Sequence, residues 1–253
     1  MKTTTLFTLL AGFSLSSQAG IVEPKVLWDK NQITTCFYDK ESQLALTRLK
    51  SRKDTLKDYN FKPRELSRRE KKKVMETVLK DFTPERTGIH FVGWKDCSKT
   101  DNPDLIVMEA KGKVPFLTRP TFNGRAVIGE DGLAEQDEQG NFGFFQKTGL
   151  VSHLALYTQN KATVIHEFGH VAGLRHEHIH EDSINDKNCH KFGVTVDFEN
   201  LEQPFVTTLF HTEYDSFSIM NYCYLQTQRN RIDREDKLIL SQKDVETLQA
   251  YYQ

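Results

Sequence analysis

The sequence predicts an α+β fold with a twisted mixed sheet. Three observations predict it: short runs rich in β-branched and aromatic residues, two helices announced by capping signatures, and a Pro-free apolar-periodic segment between them. The first strand is read over 33–38, where Ile, Thr, Cys, Phe and Tyr follow one another. Residues 40–65 are charged and weakly periodic and read as an inserted loop or short helix. Ser67-Arg68-Arg69-Glu70 is a capping box, in which a serine and a glutamate three apart satisfy orphan amides at a helix start. Met75, Val78, Leu79 and Phe82 follow at i, i+3, i+4 and i+7, so 67–82 reads as an amphipathic helix with that stripe inward. Strands are expected at 89–92, 105–108, 125–128 and 151–157. The next helix spans 161–174, with Ile165, Phe168 and Ala172 inward and Gly173 at its end. Ser241 and Asp244 cap a last helix that buries Val245, Leu248 and Tyr252.

A chain of 253 residues suits one domain of two subdomains. Its 38% hydrophobic content, with 17 Phe, 8 Tyr and 2 Trp, supplies a core and excludes wholesale disorder. No apolar run of about twenty residues follows the first fifteen, which excludes a multispanning membrane protein. The net charge of −1 hides a basic stretch over 40–73, where thirteen Lys/Arg face five Asp/Glu. Only Tyr59 and Phe61 lie among these charges, not the repeated aromatics that a base-stacking surface would need, so the stretch reads as a solvated face and no nucleic-acid partner is expected.

Residues 1–19 have the build of a secretory signal: Met1-Lys2, an apolar run over 6–13, and small residues at Ser17 and Ala19 before the cut. The expectation is a secreted or periplasmic monomer with no membrane anchor after cleavage. In that oxidising setting Cys36, Cys97, Cys189 and Cys223 read as two disulfides, with three connectivities open.

Residues 166–176 carry the chemistry. On a helix, His166 and His170 lie one turn apart on one face and can point at one ion. Glu167 leaves the same turn and can reach a water on that ion. Gly173 can take φ > 0 and reverse the chain, bringing His176 in as a third imidazole. Three nitrogens and one water make an open tetrahedral zinc site, the catalytic kind.

This HExxHxxGxxH segment resembles the metzincin superfamily of zinc peptidases. Ser218-Ile219-Met220-Asn221-Tyr222 resembles its Met-turn, with Met220 as the apolar floor beneath the metal. Val26-Leu27-Trp28, Phe91, and Leu240-Ser241 with Asp244 and Tyr252 extend the resemblance over 26–253. Within the superfamily the chain looks most like the astacin family, through His176-Glu177 after the motif and "SIMNY" at the Met-turn. It departs in having His180 where that family has arginine, and in lacking a long propeptide, as a compact and divergent bacterial member would.

The resemblance implies a catalytic domain over 20–253. An upper subdomain of about 20–176 and a smaller lower one of about 177–253, with Met-turn and closing helix, would flank a zinc cleft. It implies one catalytic Zn2+ on His166, His170 and His176, Glu167 as general base, and Tyr222 as oxyanion donor and fifth ligand at rest. It implies that Glu177 meets the mature N-terminus, and that a peptide or protein substrate binds as an extended strand. It also implies the pairing Cys36–Cys97 and Cys189–Cys223. The expected function is a secreted zinc endopeptidase. Its rivals are a zinc hydrolase of a non-peptide amide or ester and a toxin-like binding module that retains the metal.

Other features carry weaker signals. Glu130, Asp131, Glu135, Asp137 and Glu138 could bind Ca2+ but have no EF-hand spacing, and a solvated loop is expected. His178 and His180 read as surface groups or supports to the metal ligands. His90, His153, His190 and His211 read as packing or surface residues.

Overall fold

The structure, a computed structural model, describes residues 22, 27–41, 62–111, 124–127, 135–136, 142–143, 152–156, 159–177, 180–187, 189, 213–229 and 239–253. The signal segment, most of the 40–65 insertion, and His178, His190 and His211 lie outside these. So do Glu130, Asp131, Asp137 and Glu138.

Strand β1 (Gln32–Phe37) buries Ile33, Thr35, Cys36 and Phe37. It must be this apolar because it lies inside the sheet, paired in parallel with β3 (His90–Asp96) on one side and β4 (Leu105–Lys111) on the other. β4 pairs in parallel with β8 (Ser152–Leu156), and β8 pairs antiparallel with β5 (Gly124–Val127). The order β3-β1-β4-β8-β5 thus ends on an antiparallel strand, giving the mixed sheet. The fold is α+β, as the sequence predicts.

A strand the sequence does not announce, β2 (Lys62–Arg64), pairs antiparallel with the far half of β4. Two of its three residues are basic, and its extended state comes from the ladder rather than from propensity. The basic stretch is partly neutralised: Arg64 meets Glu109, and Lys71 lies 2.9 Å from Glu65 and 2.6 Å from Asp96. A second hairpin pairs β6 (Glu135–Gln136) with β7 (Phe142–Gly143).

Helix α1 (Arg68–Asp81) begins at the expected capping box, Ser67 N donating to Glu70 at 2.7 Å and Glu70 N to Ser67 Oγ at 3.3 Å. Its inward line differs from the expected one. Val74, Val78 and Asp81 are buried, Met75 flanks them, and Leu79 is 44% exposed. Asp81 is drawn inward to Arg86, 2.7 Å away, which also donates to the Leu240 carbonyl. With Val74, Val78 and Asp81 inward at helical spacing, Leu79 lies off that face and meets solvent. A short α2 (Pro84–Thr87) follows, capped by Thr83 with Pro84 in its first turn.

Helix α3 (Lys161–Val171) starts at Asn160, whose side chain accepts from Thr163 N at 2.8 Å. It stops three residues short of the expected end, at a turn through Ala172 and Gly173. Phe168 projects into an aromatic cluster with Phe91 (centroids 4.9 Å, edge-on) and Phe82 (6.3 Å), tying α3 to β3 and α1. Full burial of one such ring is worth about 1.5–3 kcal/mol. Helix α4 (Tyr222–Arg229) is another element the sequence does not announce. Helix α5 (Gln242–Tyr252) has the expected capping box and buries Val245, Leu248 and Tyr252. The disulfides are Cys36–Cys97 and Cys189–Cys223, which settles the open connectivity. No helix among the described residues is long and apolar enough to cross a membrane.

Candidate metal centre

Helix α3 presents His166 and His170 on one face, and the turn after it returns His176 to meet them. Gly173 makes that turn at φ 102°, where a side chain would be strained and a Cβ would stand 2.8 Å from Leu27. His176 Nε2 lies 2.9 Å from His170 Nε2 and 3.3 Å from His166 Nε2. Two nitrogens at tetrahedral angles on one zinc would be separated by about 3.3 Å, from a Zn–N distance of ~2.05 Å.

The tautomers agree with metal binding. His166 Nδ1 lies 2.9 Å from the Ile219 carbonyl, and His170 Nδ1 lies 2.8 Å from the Leu174 carbonyl. A carbonyl only accepts, so each Nδ1 carries the proton and each Nε2 keeps its lone pair. Burial also pulls His166 down to about 4, outweighing the opposing carbonyl bond, so its ring is neutral at ordinary pH. Facing lone pairs at this spacing repel unless a cation lies between them, so the residues present fit a zinc ion. Among the described residues these three histidines are the one group able to hold a metal.

Residues 218–222 pass beneath α3. Met220 is fully buried, and a Cβ on Gly169 would stand 2.7 Å from its sulfur. Gly169 therefore lets the turn pass directly beneath α3, a role the sequence reading does not assign. Tyr222 stacks on His166 (centroids 5.4 Å, 26°) and tilts against His176 (4.5 Å, 44°). Glu167 is 2% exposed, next to His166 on α3. Glu177 is buried, accepts from Asp215 N at 3.1 Å, and donates its own amide to the Met220 carbonyl at 3.2 Å.

The other described histidines stay out of the metal group, as expected. His180, read as a surface group or a support to the ligands, is buried; its Nδ1 accepts from Asp182 N at 3.1 Å, and it is outside the metal group. His90 is half-buried on β3, away from the site. In the sequence Trp28 enters only as part of a resemblance and Tyr252 as a buried residue of the last helix; the structure adds a role for both. Trp28 Nε1 donates to the Val171 carbonyl (2.7 Å) and the Tyr252 hydroxyl to the Ala172 carbonyl (3.0 Å), so both secure the end of α3. Both act on the carbonyls that a helix leaves unsatisfied at its C-terminus.

The model of the astacin family of peptidases matches residues 141–252. A solved structure, "Structure of myroilysin", aligns with 92% of this chain and 98% of its own at 17% identity and a TM-score of 0.42. No curated protein matches the sequence. The astacin match lies over the converged histidines and Met220, so this part of the chain is similar to the astacin peptidases, and the protein is a zinc metalloendopeptidase acting on a peptide or protein substrate.

Proposed function

We propose that the protein is a secreted endopeptidase in which His166, His170 and His176 hold the zinc, Glu167 is the general base, and Tyr222 stabilises the oxyanion. The observation that carries this reading is the convergence of three Nε2 atoms, two of them on rings whose Nδ1 partners are backbone carbonyls. Zinc bound there would supply Lewis-acid activation of water and of the scissile carbonyl.

The remaining chemistry belongs to the chain. Glu167 takes the proton of the attacking water and later delivers it to the leaving amine. The Tyr222 hydroxyl donates to the developing oxyanion, where a bond formed only in the transition state accelerates the reaction. The products are two peptides. Strand β5 ends the order of the main sheet, and α3 packs against it. An extended substrate adding to that edge would run alongside the metal, with its backbone held by strand hydrogen bonds.

The subdomain division at about residue 177 and the meeting of Glu177 with a trimmed N-terminus belong to the same reading. Val22 forms an antiparallel bridge with Leu174, three residues before Glu177, which brings the N-terminal segment toward it. Two disulfides fit an oxidising compartment.

The test is cleavage of casein and of a labelled peptide library, with and without chelator. Activity should vanish on chelation and return with zinc. Glu167→Gln should keep about one zinc per chain and lose kcat by several orders of magnitude, because the ligands stay and only proton transfer goes. Near wild-type turnover in that variant would remove Glu167 from the role.

A further inference from the structure

The Met-turn is tied to helix α5 by two serine–aspartate pairs that cross. Ser218 of the turn donates its hydroxyl to Asp244 of the helix at 2.7 Å. Ser241, the cap of the helix, donates its hydroxyl to Asp215 of the turn at 2.5 Å. Ser218, Asp215 and Asp244 are all buried. Asp244 also accepts from Ser241 N at 2.9 Å, and Asp215 from Phe217 N at 2.9 Å.

One consequence reaches the metal. The Ser218 oxygen accepts from Met220 N at 2.9 Å. Met220 N–H and the Ile219 carbonyl belong to one planar peptide unit and point in opposite directions. Holding the amide on Ser218 therefore aims the carbonyl, and that carbonyl lies 2.9 Å from His166 Nδ1. A serine hydroxyl has one proton and two lone pairs. Spending the proton on Asp244 leaves a lone pair to meet the Met220 amide.

We propose that Ser218 and Asp244 are positioning residues for the metal centre: Asp244 orients the Ser218 hydroxyl, Ser218 fixes the 219–220 peptide, and that peptide fixes the tautomer and ring angle of His166. The proposal rests on His166 being a zinc ligand. The chemistry of the pair supports it. A buried carboxylate is a costly way to anchor a turn that apolar packing would hold, and what it adds is direction. A carbonyl partner on the distal nitrogen of a ligating histidine sets its orientation and basicity.

The experiment compares Ser218→Ala, Asp244→Ala and Asp244→Asn with a control, Val78→Ala, which opens a cavity in the core under α1 and removes none of these hydrogen bonds. The readouts are zinc affinity by chelator competition, the visible spectrum of the cobalt-substituted protein, kcat and KM on a peptide, and the melting temperature of the metal-free chain. Ser218→Ala and Asp244→Ala should weaken zinc binding by about 10- to 100-fold and shift the cobalt bands. The loss in turnover should fall on kcat, with KM changed by less than about twofold. Asp244→Asn keeps an acceptor for Ser218 and should recover most of the zinc affinity. Val78→Ala should lower the melting temperature and leave zinc affinity and the cobalt spectrum unchanged.

Should Asp244→Ala fail to fold, Ser218→Ala decides alone. If Ser218→Ala melts earlier yet keeps wild-type zinc affinity and cobalt spectrum, the pair is only a structural clasp and the proposal is overturned. A wild-type chain that bound no zinc, or bound it undiminished after His166→Ala, would overturn the metal-centre reading itself, and the positioning role with it.

Discussion

Met220 passes so closely beneath Gly169 that a methyl group on the glycine would stand 2.7 Å from the methionine sulfur. The methionine is held through its own backbone on both sides: its amide donates to the Ser218 hydroxyl, and its carbonyl accepts from the Glu177 amide. Its backbone is thereby fixed, and only its flexible side chain can give way, into a core that is already filled. Gly169→Ala should therefore destabilise the fold by about 1–3 kcal/mol, the usual cost of overpacking a filled core. Trimming the obstacle in Gly169→Ala/Met220→Ala should cost less than the sum of the two single variants. Urea unfolding of the four proteins checks this; strict additivity would mean that the two residues do not compete for space.

The phenol of Tyr222 lies beside two of the three imidazoles. Tyr222→Phe preserves the ring packing and removes only the hydroxyl. Loss of one oxyanion donor costs about 2.7–4 kcal/mol, so kcat should fall about 10²–10³-fold. KM and zinc content should hardly change, because the bond forms only in the transition state. Steady-state kinetics with metal analysis checks this, and unchanged kcat would assign the hydroxyl to packing.

The disulfide Cys189–Cys223 spans 34 residues and joins the segment after the metal motif to the helix that carries Tyr222. In the chain-entropy model, closing such a loop is worth about 3–4 kcal/mol. Replacing both cysteines by alanine should lower stability by that order in denaturant titration. Turnover of the folded fraction should fall as well, because Tyr222 is the residue before Cys223. A double variant as stable and active as wild type would refute the assignment.

Asp244 gives the pH dependence. Burial, helped by the charge of Asp215, pushes its carboxyl up to about 6 from an ordinary 3.8, against the bonds from Ser218 and Ser241. Below about pH 4 the group is protonated whether the chain is folded or not. Between about 4 and 6 the folded chain keeps a proton that the unfolded chain has released. The stability it contributes is therefore full below about pH 4 and lost as pH rises through about 6, on the order of 2–3 kcal/mol in total. Asp244→Asn cannot titrate. The unfolding free energy of metal-free wild type, relative to that variant, should drop by that order between about pH 4 and about pH 7. A difference that stays level across that range would place Asp244 among ordinary carboxylates.

What the sequence by itself determined is local. The spacing of His166, Glu167 and His170, the reversal at Gly173, and the capping boxes at Ser67 and Ser241 depend on helical periodicity and backbone bonds within a few residues. Such features are legible because the groups that satisfy one another lie in the same window. The tertiary structure decided what depends on groups brought from afar. Leu79 faced outward while Asp81 turned inward to meet Arg86, and β2 became a strand only through β4. The cysteines announced two bridges, but the fold chose the partners. Ile219 came to face His166 across 53 residues, and Asp244 to face Ser218 across 26, where no sequence period could relate them. Buried polar groups must find partners wherever the packed chain supplies them, and that search is settled only when the whole chain has packed.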